Sequence, residues 1–133
     1  MTKSLRILII LTVLTGACHD PACMEHSHCD DNVILQVKSP DGAYLATVYH
    51  RSCAGGSGRY TCAMVEEVPA HWWSSKGDVG HLLNIPEFHP ITAVWKDRRH
   101  LEITTTALPS SYDQLPTNVP HESWHDVDVW YRR

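Results

Sequence analysis

The chain has 133 residues, 43% of them hydrophobic and 20% charged, a size and balance that suit one small domain with its own core. Eleven Lys and Arg against fifteen Asp and Glu give a formal charge of −4, which argues against a nucleic-acid partner. Ten histidines are several times the ordinary share, so the net charge should climb steeply below about pH 6.5.

Lys3 and Arg6 precede an apolar run over residues 7–14, interrupted by Thr12 and followed by Thr15-Gly16-Ala17-Cys18. A basic start, a short greasy core and small residues before a cleavage point predict a secretory signal peptide over residues 1–17. The run falls well short of the roughly 20 residues that span a bilayer as a helix. Ending on Cys18, the segment resembles the lipobox of bacterial lipoproteins, with Thr15 where that pattern usually has Leu. The resemblance implies lipidation of Cys18, which becomes the mature N-terminus, and hence a membrane partner reached through an N-terminal lipid. Each buried methylene contributes ~0.8 kcal/mol, and two or more acyl chains hold a protein on a membrane stably. By the sorting habit of that family, His19 after the cysteine implies the outer membrane of a Gram-negative cell, facing the periplasm. The alternative is cleavage after Ala17 to a soluble exported protein. Loss of Lys3 and Arg6 with residues 1–17 leaves nine cations against fifteen carboxylates, a charge of −6.

Residues 18–32 are polar, His- and Cys-rich and without period, and read as a tether to a single β-rich domain over residues 33–133. With Cys18 assigned to lipid, Cys23, Cys29, Cys53 and Cys62 form an even set that predicts two disulfides in an oxidising compartment. Residues 44–53 and 60–68 are rich in Tyr, Val, Thr and Ala and flank a Gly-rich link, the pattern of a β-hairpin. A turn centred on Ser57-Gly58 would place Cys53 opposite Cys62, within bridging distance, and leave Cys23 to join Cys29 by elimination.

Elsewhere, Val33, Leu35 and Val37 share one face of a strand over residues 33–38, and Ser39-Pro40-Asp41-Gly42 is turn chemistry. Residues 69–80, with Trp72 and Trp73, read as an irregular loop. Residues 81–85 form a short strand ended by Pro86. Residues 91–95 and 101–107 make a second hairpin around Lys96-Asp97-Arg98-Arg99. Residues 108–123 carry three prolines and little pattern, and Val127, Val129 and Tyr131 alternate in a closing strand. No segment holds a 3.6-residue apolar period. The expected fold is mainly β, a small antiparallel sheet or sandwich of six to seven short strands, with little helix beyond the signal peptide.

Ser39-Pro40-Asp41-Gly42-Ala43-Tyr44, Ala46, Val48, Arg51 and Cys53-Ala54-Gly55, followed by Val94-Trp95 and Leu101-Glu102-Ile103, resemble a group of small bacterial exported proteins. Those carry an SPDGxYxAxVxxRxCG stretch and a later VxWxxxxxLxI strand pair. Here Ala54 is inserted before the glycine and Cys62 is added. The group has no established activity, so the resemblance implies fold and export alone.

Three constellations carry chemistry. His121-Glu122-Ser123-Trp124-His125 spells HExxH, which on a helix binds zinc through both imidazoles while the Glu activates water. Its flanks here deny the helix, because residues from Asp126 onward alternate as a strand. Cys23, His26, His28 and Cys29, with His19, could take zinc or copper, although disulfide formation would consume the sulfurs. Ser57-Gly58-Arg59-Tyr60 approaches the SGxxY loop that membrane-bound lysozyme inhibitors present to their enzyme, one residue short. Among the tryptophans Trp95 should face the core, and one of Trp72 and Trp73 should be free for contact with a protein or glycan. No catalytic residue, metal ligand or cofactor is assigned. The sequence-level expectation is an exported lipoprotein with a non-enzymatic binding or envelope role, with a zinc hydrolase or a lysozyme inhibitor as alternatives.

Overall fold

The computed structural model describes residues 28–56, 58–71, 77–114 and 116–133. The protein is mainly β, as expected. Eight strands follow in chain order: β1 (Cys29–Lys38), β2 (Tyr44–Cys53), β3 (Gly58–Glu67), β4 (Val79–Pro86), β5 (Thr92–Trp95), β6 (His100–Thr104), β7 (Glu122–Trp124) and β8 (Val127–Arg132). They form two four-stranded sheets, β1-β2-β3-β4 and β5-β6-β8-β7. The first is antiparallel throughout, whereas β6 and β8 in the second run parallel. No helix among the described residues is long and apolar enough to cross a membrane.

Alternation along each strand builds the core. Ala46 and Val48 of β2, Ala63 and Val65 of β3, and Leu83 and Ile85 of β4 point inward from the first sheet. Ala93, Leu101, Ile103, Val127, Val129 and Tyr131 meet them from the second. The two sheets are also joined at their edges, where the Trp95 indole N–H donates to the Val37 carbonyl at 2.9 Å. At the same end Tyr44 stacks on Trp95 and meets Trp124 edge-on. Gly80 is a glycine because a Cβ there would lie 2.5 Å from the Trp124 indole.

The turn before β2 is self-contained. Gly42 N–H donates to the Ser39 carbonyl at 2.8 Å, and Gly42 takes φ of 73°. The Ser39 hydroxyl donates to Asp41 at 2.7 Å and accepts from the Tyr44 N–H at 3.0 Å. The Ser39 hydroxyl first, and then the Ala43 N–H, which donates to the carboxylate at 3.1 Å, hold Asp41 below its ordinary range. Asp97 braces the second hairpin likewise, accepting from the Arg99 and His100 amides at 2.8 and 3.0 Å.

Two expectations are corrected. The first hairpin turns earlier than Ser57-Gly58: residues 54–56 form a 3₁₀ turn with Gly55 at φ of 75°, and Cys53 faces Gly58. Cys62 therefore lies opposite Tyr49, and the Cys53–Cys62 bridge is not made. Instead Cys53 is bonded to Cys29, directly across on β1 with Cα atoms 4.0 Å apart, which also removes the expected Cys23–Cys29 pair. Cys62 is disulfide-bonded as well. The second correction follows from the first. Residues 29–32 belong to β1 rather than to a shapeless tether, held by the disulfide and by Arg51, whose guanidinium makes a two-point ion pair with Asp31 at 2.6 Å.

Candidate functional site

The HExxH stretch is a β-hairpin. Glu122, Ser123 and Trp124 are strand β7, and His125 turns the chain into β8 with φ of 50°. His121 is held through both ring nitrogens: Nδ1 accepts from the Tyr131 N–H at 2.9 Å, which leaves Nε2 to donate to the Pro116 carbonyl at 3.2 Å. His125 Nε2 contacts Asp78 at 3.0 Å instead. Among the described residues no group of three His, Cys, Asp or Glu side chains lies close enough to hold a metal ion.

Glu122 has a structural partner. Its Oε2 lies 2.6 Å from the Tyr131 hydroxyl, which also lies 2.9 Å from the Leu82 carbonyl. One phenolic proton serves one acceptor. The chain of bonds closes when Tyr131 donates to Leu82 and a protonated Glu122 donates to the phenol oxygen. Burial pushes the Glu122 carboxyl above its ordinary value, and the Tyr131 hydroxyl opposes that rise in part. Leu82 has no register partner on β3, since pairing passes from Ala63↔Leu83 to Met64↔His81, and the bulge turns its carbonyl toward the other sheet.

The open chemistry lies on the outer face of the second sheet. Leu101 and Ile103 on β6, and Val129 and Tyr131 on β8, face the core, so their neighbours His100, Glu102, Trp130 and Arg132 face out. With Lys96 from the preceding turn they line a shallow cavity of about 260 Å³. Trp130 sits opposite Glu102 in the parallel register and meets the His100 ring edge-on at 4.9 Å. Glu102 is bracketed by Lys96 and Arg132, each 3.5 Å from one carboxylate oxygen. Such long, half-exposed pairs contribute little to stability and are easily exchanged for other partners. His100 also contacts Asp97 and lies 3.9 Å from Asp128, which fixes the ring against the indole.

Comparison with protein-family models, curated proteins and solved structures finds no match to this chain.

Of the residues singled out in the sequence, Cys18, His19, Cys23, His26, Ser57, Trp72 and Trp73 lie outside those described. The Tyr60 hydroxyl folds over Gly58, 3.1 Å from where a Cβ would stand. Trp95 packs against the core as expected. Sequence reasoning missed the groove. The outward positions of β6 and β8 could be listed from their alternation, but nothing local announces that the two strands are neighbours.

Proposed function

We propose that the chain is a small exported lipoprotein of the bacterial envelope, anchored through Cys18, that binds an acidic glycan without catalysis in the groove around Trp130. Trp130 beside Lys96, Arg132 and Glu102 carries the glycan reading. An indole flank offers the apolar face of a sugar ring a flat partner, the two cations suit a carboxylate substituent, and Glu102 accepts from hydroxyls. A small inorganic anion would engage the cations and leave the indole idle. The export part is supported by the lipobox-like residues 15–18 and by disulfides, which persist in oxidising compartments.

Two experiments separate the parts. Titration of the folded protein with acidic oligosaccharides, followed by NMR, should show saturable shifts around Trp130. Neutral oligosaccharides of equal length should bind more weakly, and Trp130→Ala should abolish binding while leaving the circular dichroism unchanged. Absence of saturable binding to either class refutes the glycan site. Intact mass of the mature protein should equal the chain from Cys18 plus acyl groups; a bare chain refutes the anchor and leaves the groove untouched.

A further inference from the structure

Cys62 is disulfide-bonded and completely buried, yet it lies on the outer face of the first sheet, beside Tyr49 on β2 and Asn84 on β4. Cys29 and Cys53 are joined to each other, so of the five cysteines in the chain only Cys18 and Cys23 remain as its partner. We propose that Cys62 is bonded to Cys23, and that this second bridge staples the membrane-proximal segment across the outer face of the first sheet. The choice of Cys23 rests on the lipidation of Cys18 proposed above: a sulfur held in a thioether has no hydrogen left to lose and takes no part in a disulfide. Forming the bridge removes two protons and two electrons from the two thiols, and a protein disulfide of the export compartment accepts them to become a dithiol.

The geometry permits it. Cys62 faces Tyr49, which faces Val33, so it stands two strands across and four residues along from Cys29. At about 4.8 Å per strand and 3.3 Å per residue that is roughly 16 Å. The six residue steps from Cys29 back to Cys23 reach about 20 Å when extended. Covering this face also gives a reason for the cluster of Tyr49 and Cys62, packed with Tyr60 and Met64 on the side of the sheet away from the main core.

The staple sets orientation. From Cys23 only five steps lead to Cys18, a leash of roughly 17 Å at full extension. The acyl chains are then tied to the outer face of the first sheet, while the Trp130 groove lies on the outer face of the second, with both sheets in between. The groove is carried on the side remote from the membrane.

Peptide mapping by mass spectrometry under non-reducing conditions, on full-length protein processed from its own leader, tests the pairing. The expected result is a Cys23 peptide linked to a Cys62 peptide, with acyl mass on Cys18. A Cys18–Cys62 link overturns both the staple and the anchor. Acylated Cys18 with Cys62 free, or joined to another chain, overturns the staple alone; a Cys23–Cys62 link beside a bare Cys18 overturns the anchor and the orientation. Cys23→Ser should release one thiol, on Cys62, and a denatured variant with no alkylatable Cys62 thiol counts against the staple. On vesicles, Lys96 should label with a bulky amine reagent as fast as in detergent, and protection by vesicles overturns the orientation.

Discussion

Replacing Glu122 by Gln should leave the protein at least as stable as the parent at neutral pH, the opposite of what a purely ionic carboxylate would predict. The Tyr131 hydroxyl lies 2.6 Å from the Glu122 carboxyl and 2.9 Å from the Leu82 carbonyl, and its single proton satisfies both only when Glu122 is protonated and donates in turn. An amide supplies the same donor without a proton to lose. Burial raises the carboxyl's pKa in the folded state, so the native protein holds that proton more tightly than the unfolded chain. A group raised on folding contributes stability that is fully present below its unfolded pKa and is lost as pH rises through the folded one. Each unit of separation corresponds to about 1.4 kcal/mol. The parent should therefore weaken on passing from acid toward neutral pH, and the difference between parent and Glu122→Gln should grow in the variant's favour by about the worth of one hydrogen bond, 0.5–1.5 kcal/mol. Tyr131→Phe strands both the carboxyl and the Leu82 carbonyl and should cost about 1–3 kcal/mol. Urea unfolding at half-unit steps from pH 4.5 to 8 measures all three proteins. Parallel pH profiles for parent and Glu122→Gln, or a Tyr131→Phe variant as stable as the parent, would refute the relay.

Gly80→Ala drives a methyl to 2.5 Å from the Trp124 indole and should cost about 1–3 kcal/mol by thermal unfolding, with near-ultraviolet dichroism altered as the aromatic cluster shifts. Opening the Cys29–Cys53 bridge by a double Ser substitution releases a loop with a sequence separation of 24 and should lower stability by about 3–4 kcal/mol in the chain-entropy picture. An unchanged unfolding midpoint would mean that the bridge constrains little. In acid, Asp41 contributes with the opposite sign to Glu122: its folded pKa lies below the ordinary 3.8, so its stabilisation is present above that value and lost as pH falls through the folded one. Asp41→Ala should flatten the acid limb of the stability profile, and an acid limb identical to the parent's would count against the turn's role.

What could be read from the sequence was local. Val127, Val129 and Tyr131 are buried in alternation as their spacing implied, and the charged turn at residues 96–99 joins the two strands expected around it. The Ser39-Pro40-Asp41-Gly42 turn is made by the side chains that announce it. Register was not legible, because Ala54-Gly55-Gly56-Ser57-Gly58 offers several equally permissive turn centres and the hairpin can slide along them. That slide moved Cys62 from Cys53 to Tyr49 and handed Cys53 to β1. The start of β1 was missed for a related reason: Cys29 and Asp31 are strand residues through partners on β2, not through any apolar alternation of their own. The HExxH letters pointed to a helix whose geometry the following strand forbids, and the groove depends on β6 and β8 meeting across an interval without pattern.

The placement of β8 has a consequence for how the polypeptide acquires its shape. This strand follows every other described one along the chain, yet it lies in the middle of its sheet, between β6 and β7. The second sheet therefore cannot assemble until Arg132 has been delivered, and the pairing that completes it spans a long stretch of backbone, a feature of slow folding. An exported protein of the kind proposed would, built this way, stay open while it is threaded through a narrow translocation pore and mature only once it has emerged.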